Sequence, residues 1–112
     1  MSFSFHSVPL IESGLGKVAL LPDVCERLKI KRPLIVTDEG IYKLGIANKI
    51  ILTLNRNNIE PCLYNQVLAD PPESNIFDAI KIFKDFQSDG VIGLGGGSSM
   101  DVAKAVSYFS VN

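Results

Sequence analysis

Residues 91–104, VIGLGGGSSMDVAK, place four glycines in five positions between an apolar run and a run with helical spacing. The apolar run VIGLG is typical of a buried strand, and the residues from Ser98 to about Phe109 are predicted to form a helix. Glycines between a parallel strand and a helix often bind phosphate, because the first helical turn presents unpaired N–H groups and a partial positive charge. Ser98 and Ser99 add hydroxyl donors. The segment therefore predicts a strand–loop–helix unit with a phosphate-binding loop.

Two better-known glycine motifs do not match this loop. A P-loop requires Lys-Ser or Lys-Thr directly after its glycines, and neither pair occurs here. The dinucleotide pattern Gly-x-Gly-x-x-Gly starts at Gly93 and Gly95 but has Ser98 in place of its third glycine. That pattern also expects an acidic residue about 20 positions downstream, whereas the acidic candidate in this chain, Asp38, lies upstream. The loop is therefore not a P-loop, and it narrowly misses the dinucleotide pattern.

Short apolar runs alternate with helical patterns along the rest of the chain. The predicted strands are residues 3–8, 33–38, 59–65 and 91–95. Helices are predicted from Pro22 onward, through Ile46 to Leu54, from Ile76 to Phe86 with an end near Gly90, and after Ser98. Because the strands carry few outward polar residues and alternate with helices, we expect an α/β fold with a parallel sheet covered on both faces. The length of 112 residues predicts one domain.

Two acidic residues follow predicted strands. Asp38 ends the run PLIVTD, and Asp70 follows the third strand. The carboxyl ends of neighbouring parallel strands open onto one crevice, so both side chains are expected near the glycine loop. A carboxylate at Asp38 would accept hydrogen bonds from an adenosine ribose 2′-OH and repel a 2′-phosphate, which favours NAD over NADP. Asp38 fits a helix cap equally well, and Asp70 fits a rigid turn before the next helix.

Asp101 and Lys104 lie in the predicted helix that follows the loop. Ser98-x-x-Asp101 resembles a capping box, with Asp in place of the usual Glu. Lys104 is three residues further on, where it can pair with Asp101 on the helix surface. Their spacing alone is more typical of helix-end interactions than of catalytic groups.

Composition argues against several classes of function. The net charge is −1, from 11 basic and 12 acidic residues without a block of like charge, so neither a nucleic-acid nor an anionic-membrane surface is expected. No apolar run reaches the ~20 residues that span a bilayer, and the first ten residues do not resemble a secretory signal. The two cysteines, Cys25 and Cys62, lack metal-ligand spacing; reduced, buried thiols are expected, which favours a cytoplasmic protein. His6 is the only histidine, so a histidine-rich metal site is excluded.

Residues 95–104, GGGSSMDVAK, resemble the Gly-Gly-Gly-Ser-x-x-Asp-x-Ala-Lys signature of the iron-containing (group III) alcohol dehydrogenases. Residues 14–17 (GLGK), 33–46 (PLIVTDEGIYKLGI) and 67–75 (VLADPPESN) are similar to family segments in the same order. The resemblance runs from about residue 5 to residue 109, and the signature is its most specific part. It implies a Rossmann-like N-terminal domain that binds NAD(P), as in the dehydroquinate synthase-like fold, followed in the family by a helical metal-binding domain.

The resemblance also implies a role for each matching position. The residues expected to hold the cofactor pyrophosphate are Gly95, Gly96, Gly97 and Ser98. Asp38 would meet the adenosine ribose, whereas Asp70 and Asp101 would lie near the nicotinamide. Lys104 would support the loop. No catalytic or metal-binding residue is assigned within the chain.

The activity implied by the resemblance is reversible hydride transfer between NAD(P)H and an aldehyde or ketone, which gives an alcohol. Iron or zinc, held in the family by one Asp and three His of the C-terminal domain, would polarise the substrate oxygen. Family members are several times longer. We therefore expect these 112 residues to be a single, incomplete dinucleotide-binding domain that is inactive alone and prone to form homo-oligomers. The alternatives are part of a glycerol dehydrogenase, maleylacetate reductase or dehydroquinate synthase, and a non-catalytic nucleotide-binding module.

Overall fold

Alternating strands and helices make up the computed structural model, which describes residues 7–111. In chain order the elements are β1 (Leu10–Ser13), a 3₁₀ helix (Leu15–Leu20), α1 (Leu21–Arg27), β2 (Pro33–Val36), α2 (Glu39–Lys43), α3 (Ile46–Arg56), β3 (Cys62–Tyr64), α4 (Glu73–Phe86), β4 (Gly90–Leu94) and α5 (Gly97–Phe109). The strands of this part of the chain form one parallel sheet in the order β1-β4-β2-β3. The predicted α/β fold with a parallel sheet is confirmed.

Helices cover both faces of the sheet, as the apolar character of the strands predicted. The central strands β2 and β4 are buried along their whole length, and their side chains alternate between two apolar clusters. One cluster packs strand residues such as Ile35 and Ile92 against α1 and α3. The other packs Leu34 and Val91 against α4 and α5. Within residues 7–111, no helix has the length and apolar character needed to cross a membrane.

The first strand lies later in the chain than its sequence pattern predicted. Most of the predicted strand, residues 3–8, lies outside the described residues, and Val8 is not in a strand. The Val8 N–H donates to the Ser107 carbonyl at 3.1 Å, and the Ser107 hydroxyl donates to the Val8 carbonyl at 2.6 Å. These bonds attach Val8 to α5. The sheet begins instead at the Pro9 carbonyl, which accepts from the Val91 N–H at 2.9 Å.

The predicted helix from Ile46 to Leu54 lies within α3, which Gly45 separates from α2 through a left-handed backbone conformation with φ +81. The predicted end of the next helix differs from the structure. The helix α4 ends at Phe86 rather than near Gly90, and Gln87 provides the left-handed residue that closes it. Gly90 instead begins β4, where a Cβ atom would lie 2.8 Å from the Ile30 side chain. Close packing against Ile30, which follows α1, rather than helix termination, is what requires a glycine at this position.

Apolar side chains remain exposed on α4 and α5. Phe77 is 64% exposed and Phe109 is 54% exposed. Together with Ile76 and Ile80 they line a groove of about 440 Å³ between the two helices. The expected self-association of the chain stays a prediction.

Asp89 stabilises the end of the sheet at which β2 and β4 begin. Its two carboxylate oxygens accept from the Lys31 and Arg32 N–H groups, each at 2.8 Å. The Arg32 guanidinium donates to the Phe86 carbonyl at 2.7 and 3.2 Å, pairs with Glu60 at 2.9 Å and lies 4.0 Å from the centre of the Phe86 ring. These contacts join the starts of β2 and β3 to the loop between α4 and β4.

Replacing Asp89 with alanine is expected to lower the free energy of unfolding by about 1–3 kcal/mol, because two backbone N–H groups lose their acceptor. Asp85→Ala is the matched control, since the ion pair of Asp85 with Lys81 lies on the exposed surface of α4. We expect a much smaller loss in that variant. Urea unfolding followed by circular dichroism measures both, and equal losses would contradict the role given to Asp89.

Candidate cofactor site

Thr37 joins the ends of three strands at the opposite edge of the sheet. Its hydroxyl donates to the Leu94 carbonyl at 2.8 Å, and its N–H donates to the Tyr64 carbonyl at 2.9 Å. Its own carbonyl accepts from the Val67 N–H at 3.3 Å. Thr37 is fully buried, so water does not compete for these bonds. As a result, β2, β3 and β4 end side by side, and the three loops that leave them converge.

The glycine loop connects β4 to α5 at this edge. Gly95 has φ +117, a conformation that residues with a Cβ atom adopt only with strain. Gly96 is the N-cap of α5, and no side chain caps the helix. A Cβ atom on Gly96 or Gly97 would have nothing within 4 Å. Because these positions face open space, a ligand can approach the free N–H groups of the first turn of α5 closely.

Gly93 has a different function from the glycines of the loop. A Cβ atom at Gly93 would lie 2.9 Å from both the Ala103 Cβ and the Met100 Sδ. The absence of a side chain therefore lets α5 pack directly against β4. This contact fixes the position of the first turn of α5 relative to the strand ends.

A cavity of about 350 Å³ opens where the three loops meet. It is lined by residues 38–40, 67–69 and 96–99, which follow β2, follow β3 and begin α5. Asp38 and Glu39 are both among the lining residues, and no Lys or Arg is. Positive potential in the cavity therefore comes from the N-terminus of α5, a helix of 13 residues. A helix N-terminus behind side-chain-free glycines suits a phosphate group.

The predicted site residues are distributed unevenly around this cavity. The four that line it are Asp38, Gly96, Gly97 and Ser98. Gly95 lies directly before them in the loop. Asp70 follows the lining residue Ala69 and has a left-handed backbone with φ +47, whereas Asp101 is exposed within α5. Neither Asp70 nor Asp101 lines the cavity, and their expected place near the nicotinamide stays a prediction.

Asp38 caps the helix α2. One carboxylate oxygen, Oδ1, accepts from the Ile41 N–H at 2.7 Å. The alternative that Asp38 is a helix cap is therefore confirmed. This does not remove the other alternative, because an ionised carboxylate has about four lone-pair positions and Oδ2 has no hydrogen-bond partner among residues 7–111. The cap orients the carboxylate at the cavity wall and leaves one oxygen for a ligand.

The interpretation of Ser98 and Asp101 as a capping box is wrong. The helix α5 starts at Gly97, with Gly96 as its N-cap, so Ser98 is already inside the first turn and Asp101 is beyond it. Lys104 also differs from its predicted pairing. Its Nζ lies 3.4 Å from the Glu12 Oε1, so it connects α5 to β1. Glu12 was not visible as a partner in the sequence, because its proximity depends on the pairing of β1 with β4.

Ser99 is a lining residue with a buried polar atom that is unpaired among the described residues. The residue is 1% exposed, and its Oγ has no hydrogen-bond partner within residues 7–111. The free N–H groups, the side-chain-free glycines and this hydroxyl together fit the phosphate groups of a nucleotide cofactor. Thr37 and residues 67–69 were not predicted as site residues. The available signal for Thr37 was a hydroxyl side chain at the end of an otherwise apolar strand.

The described residues provide little for a metal ion. Across residues 7–111, no three His, Cys, Asp or Glu side chains lie close enough together to bind one. Cys25 is buried and Cys62 is half-buried, and both are free thiols. Burial, with a smaller effect of the Asp89 charge, raises the pKa of Cys25 to about 11. Burial also raises the pKa of Cys62. Neither thiol lines the cavity.

Comparison with known proteins gives a consistent result. The family model described as "Iron-containing alcohol dehydrogenase" matches residues 9–112. Choline dehydrogenase of Bacillus subtilis is 35% identical over 103 residues, which are 92% of this chain and 26% of that protein. 4-Hydroxybutyrate dehydrogenase of Cupriavidus necator is 31% identical over 112 residues, which are 100% of this chain and 28% of that protein. The chain thus spans about a quarter of the length of these relatives.

A solved structure supports the same assignment of the fold. NADH-dependent butanol dehydrogenase A from Thermotoga maritima superposes with a TM-score of 0.74 and 28% sequence identity. The match covers 94% of this chain and 27% of that protein. The resemblance inferred from the signature, and the Rossmann-like character of the fold, are confirmed.

Thr37→Val is expected to loosen the glycine loop, because the Leu94 carbonyl loses its buried donor. The free energy of unfolding should fall by about 1–3 kcal/mol. Hydrogen exchange at the Met100 amide, which bonds to the Gly96 carbonyl at 3.1 Å, should become faster. Thr37→Ser keeps the hydroxyl and is the control. If both variants change Met100 exchange equally, the hydroxyl does not position the loop.

Proposed function

Because this chain belongs to the iron-containing alcohol dehydrogenase family, we propose that it forms the NAD-binding part of a dehydrogenase. The enzyme would transfer hydride between NAD(H) and an aldehyde or ketone, with an alcohol as the reduced product. The observation that carries this proposal is the cavity in which the glycine loop and Asp38 meet at the ends of parallel strands. The relatives act on different alcohols according to their names, so we assign only the substrate class.

The pyrophosphate is assigned to the first turn of α5. Gly95, Gly96, Gly97 and Ser98 are the residues proposed to hold it. Since nothing occupies the Cβ positions of Gly96 and Gly97, phosphate oxygens can reach the free N–H groups there. The helix N-terminus supplies the favourable potential in a cavity that no Lys or Arg lines. NAD, when bound, supplies the hydride acceptor or donor; the part of this chain is to bind and orient it.

The adenosine ribose is assigned to Asp38. Its Oδ2 is available to accept from a ribose hydroxyl while Oδ1 continues to cap α2. The adjacent Glu39 also lines the cavity but pairs with Lys43 at 3.7 Å, so a 2′-phosphate would be repelled mainly by the Asp38 carboxylate. Repulsion between these like charges favours NAD over NADP. Asp70 and Asp101 are assigned to the nicotinamide side, as the family resemblance implies.

The metal of this family is assigned to no residue of the described chain. Residues 7–111 do not fit it, since they bring no three suitable side chains together. We assign to this chain only a role in binding the cofactor. A cytoplasmic location, the absence of nucleic-acid and membrane partners, and self-association remain predictions. So does the expectation that the 112 residues alone have no dehydrogenase activity.

Calorimetric titration of the 112-residue chain with NAD and with NADP tests the proposal. We expect saturable binding of NAD and at least tenfold weaker binding of NADP, which corresponds to about 1.4 kcal/mol. Gly96→Ala and Gly96→Val should weaken NAD binding in order of side-chain size, because each new side chain fills the space in front of α5. Thermal unfolding of the same variants is the control for folding. A folded chain that does not bind NAD would contradict the proposal.

Asp38→Asn tests the ribose assignment separately. Asparagine is as good an N-cap as aspartate, so α2 should keep its start and the unfolding temperature should change little. Loss of the negative charge should reduce the preference for NAD over NADP by about tenfold or more. An unchanged preference would show that Asp38 is only a helix cap.

A further inference from the structure

The Ser99 hydroxyl occupies an unusual environment beneath the glycine loop. Ser99 lies in the first turn of α5, is 1% exposed and is one of the residues that line the cavity. A Cβ atom on Gly95 would be 3.8 Å from the Ser99 Oγ and 3.8 Å from the Thr37 Oγ1. The two hydroxyls therefore flank the same glycine. The Thr37 hydroxyl is used, since it donates to Leu94, whereas the Ser99 hydroxyl has no partner within residues 7–111.

A buried hydroxyl without a partner destabilises a folded protein, because it has lost its hydrogen bonds to water and gained none. Serine in a helix usually avoids this loss by donating back to a carbonyl of the preceding turn. Ser99 makes no such bond to any described residue. Alanine at this position would keep the helix and remove the unpaired group. In the structure, the Ser99 hydroxyl forms no hydrogen bond to a described residue, so no such bond stabilises the ligand-free chain.

We infer that Ser99 is a cofactor-binding residue whose hydroxyl donates to a phosphate oxygen of bound NAD. This inference rests on the proposed function, since it concerns the same cavity. Two independent features point to a negatively charged oxygen there: the N-terminus of a 13-residue helix and a buried donor that lacks an acceptor among residues 7–111. Ser98, the serine of the family signature, is only half-buried. Ser99 therefore adds a second hydroxyl on the inner side of the loop.

Ser110 provides a matched control within the same helix region. Its Oγ is likewise buried and has no partner among the described residues. It directly follows the last residue of α5, at the end of the helix opposite the cavity, and does not line the cavity. Ser99→Ala and Ser110→Ala therefore remove the same kind of group. They differ in whether the residue lines the proposed cofactor site.

The experiment measures unfolding temperature and ligand affinity for the wild-type chain and both variants. Without ligand, we expect each variant to unfold at the same temperature as the wild type or a higher one. With NAD and with ADP-ribose, which share the pyrophosphate, Ser99→Ala should bind about tenfold more weakly, whereas Ser110→Ala should bind as the wild type does. Adenosine, which has no phosphate, should not distinguish Ser99→Ala from the wild type.

The outcomes separate this inference from the proposed function. If the wild-type chain does not bind NAD, the proposed function fails and the inference fails with it. If the wild type binds NAD and Ser99→Ala binds equally well, the inference alone is overturned. It is also overturned if Ser99→Ala lowers the unfolding temperature of the ligand-free chain, because the hydroxyl would then have a structural partner.

Discussion

The hydrogen bonds of Thr37 hold the ends of three strands together, and the candidate site exists because those ends meet. Its hydroxyl reaches β4, its N–H reaches β3, and its carbonyl fixes the segment that leaves β3. In a parallel sheet every strand ends at the same edge, so the loops that follow are brought side by side. The backbone and side-chain hydrogen bonds of one buried residue thus bring together Asp38, Val67 and the glycine loop, which are distant in sequence.

The glycines near this edge have different structural functions. Gly93 removes a clash between β4 and α5, Gly95 allows the chain to turn, and Gly96 leaves the helix N-terminus open. Packing, conformation and access therefore each require the absence of a side chain, at three different positions. This explains why so many glycines occur together, and why substitutions at them should affect different properties of the protein.

The two edges of the sheet differ in how completely their polar groups are paired. At the edge where β2 and β4 begin, Asp89 and Arg32 satisfy backbone groups of the adjoining loops. At the other edge, α5 has no side-chain cap and the Ser99 hydroxyl has no partner among the described residues. A protein that binds a polar ligand needs hydrogen-bond donors that are unpaired before the ligand binds. Unpaired donors lower the stability of the ligand-free state. The unpaired groups mark the edge where binding is expected.

The sequence by itself determined the alternation of strands and helices, the buried strand β2 and the strand–loop–helix unit around the glycines. These features follow from side-chain periodicity and backbone preferences, which act over a few residues. It did not determine that Val8 bonds to Ser107 or that Lys104 pairs with Glu12. Nor did it determine that Thr37 joins three strands or that the Ser99 hydroxyl has no partner in the part of the chain that the structure describes. Only the tertiary structure decided these, because a hydrogen-bond partner is set by which strands and helices become neighbours, and that order, β1-β4-β2-β3, differs from the order along the chain.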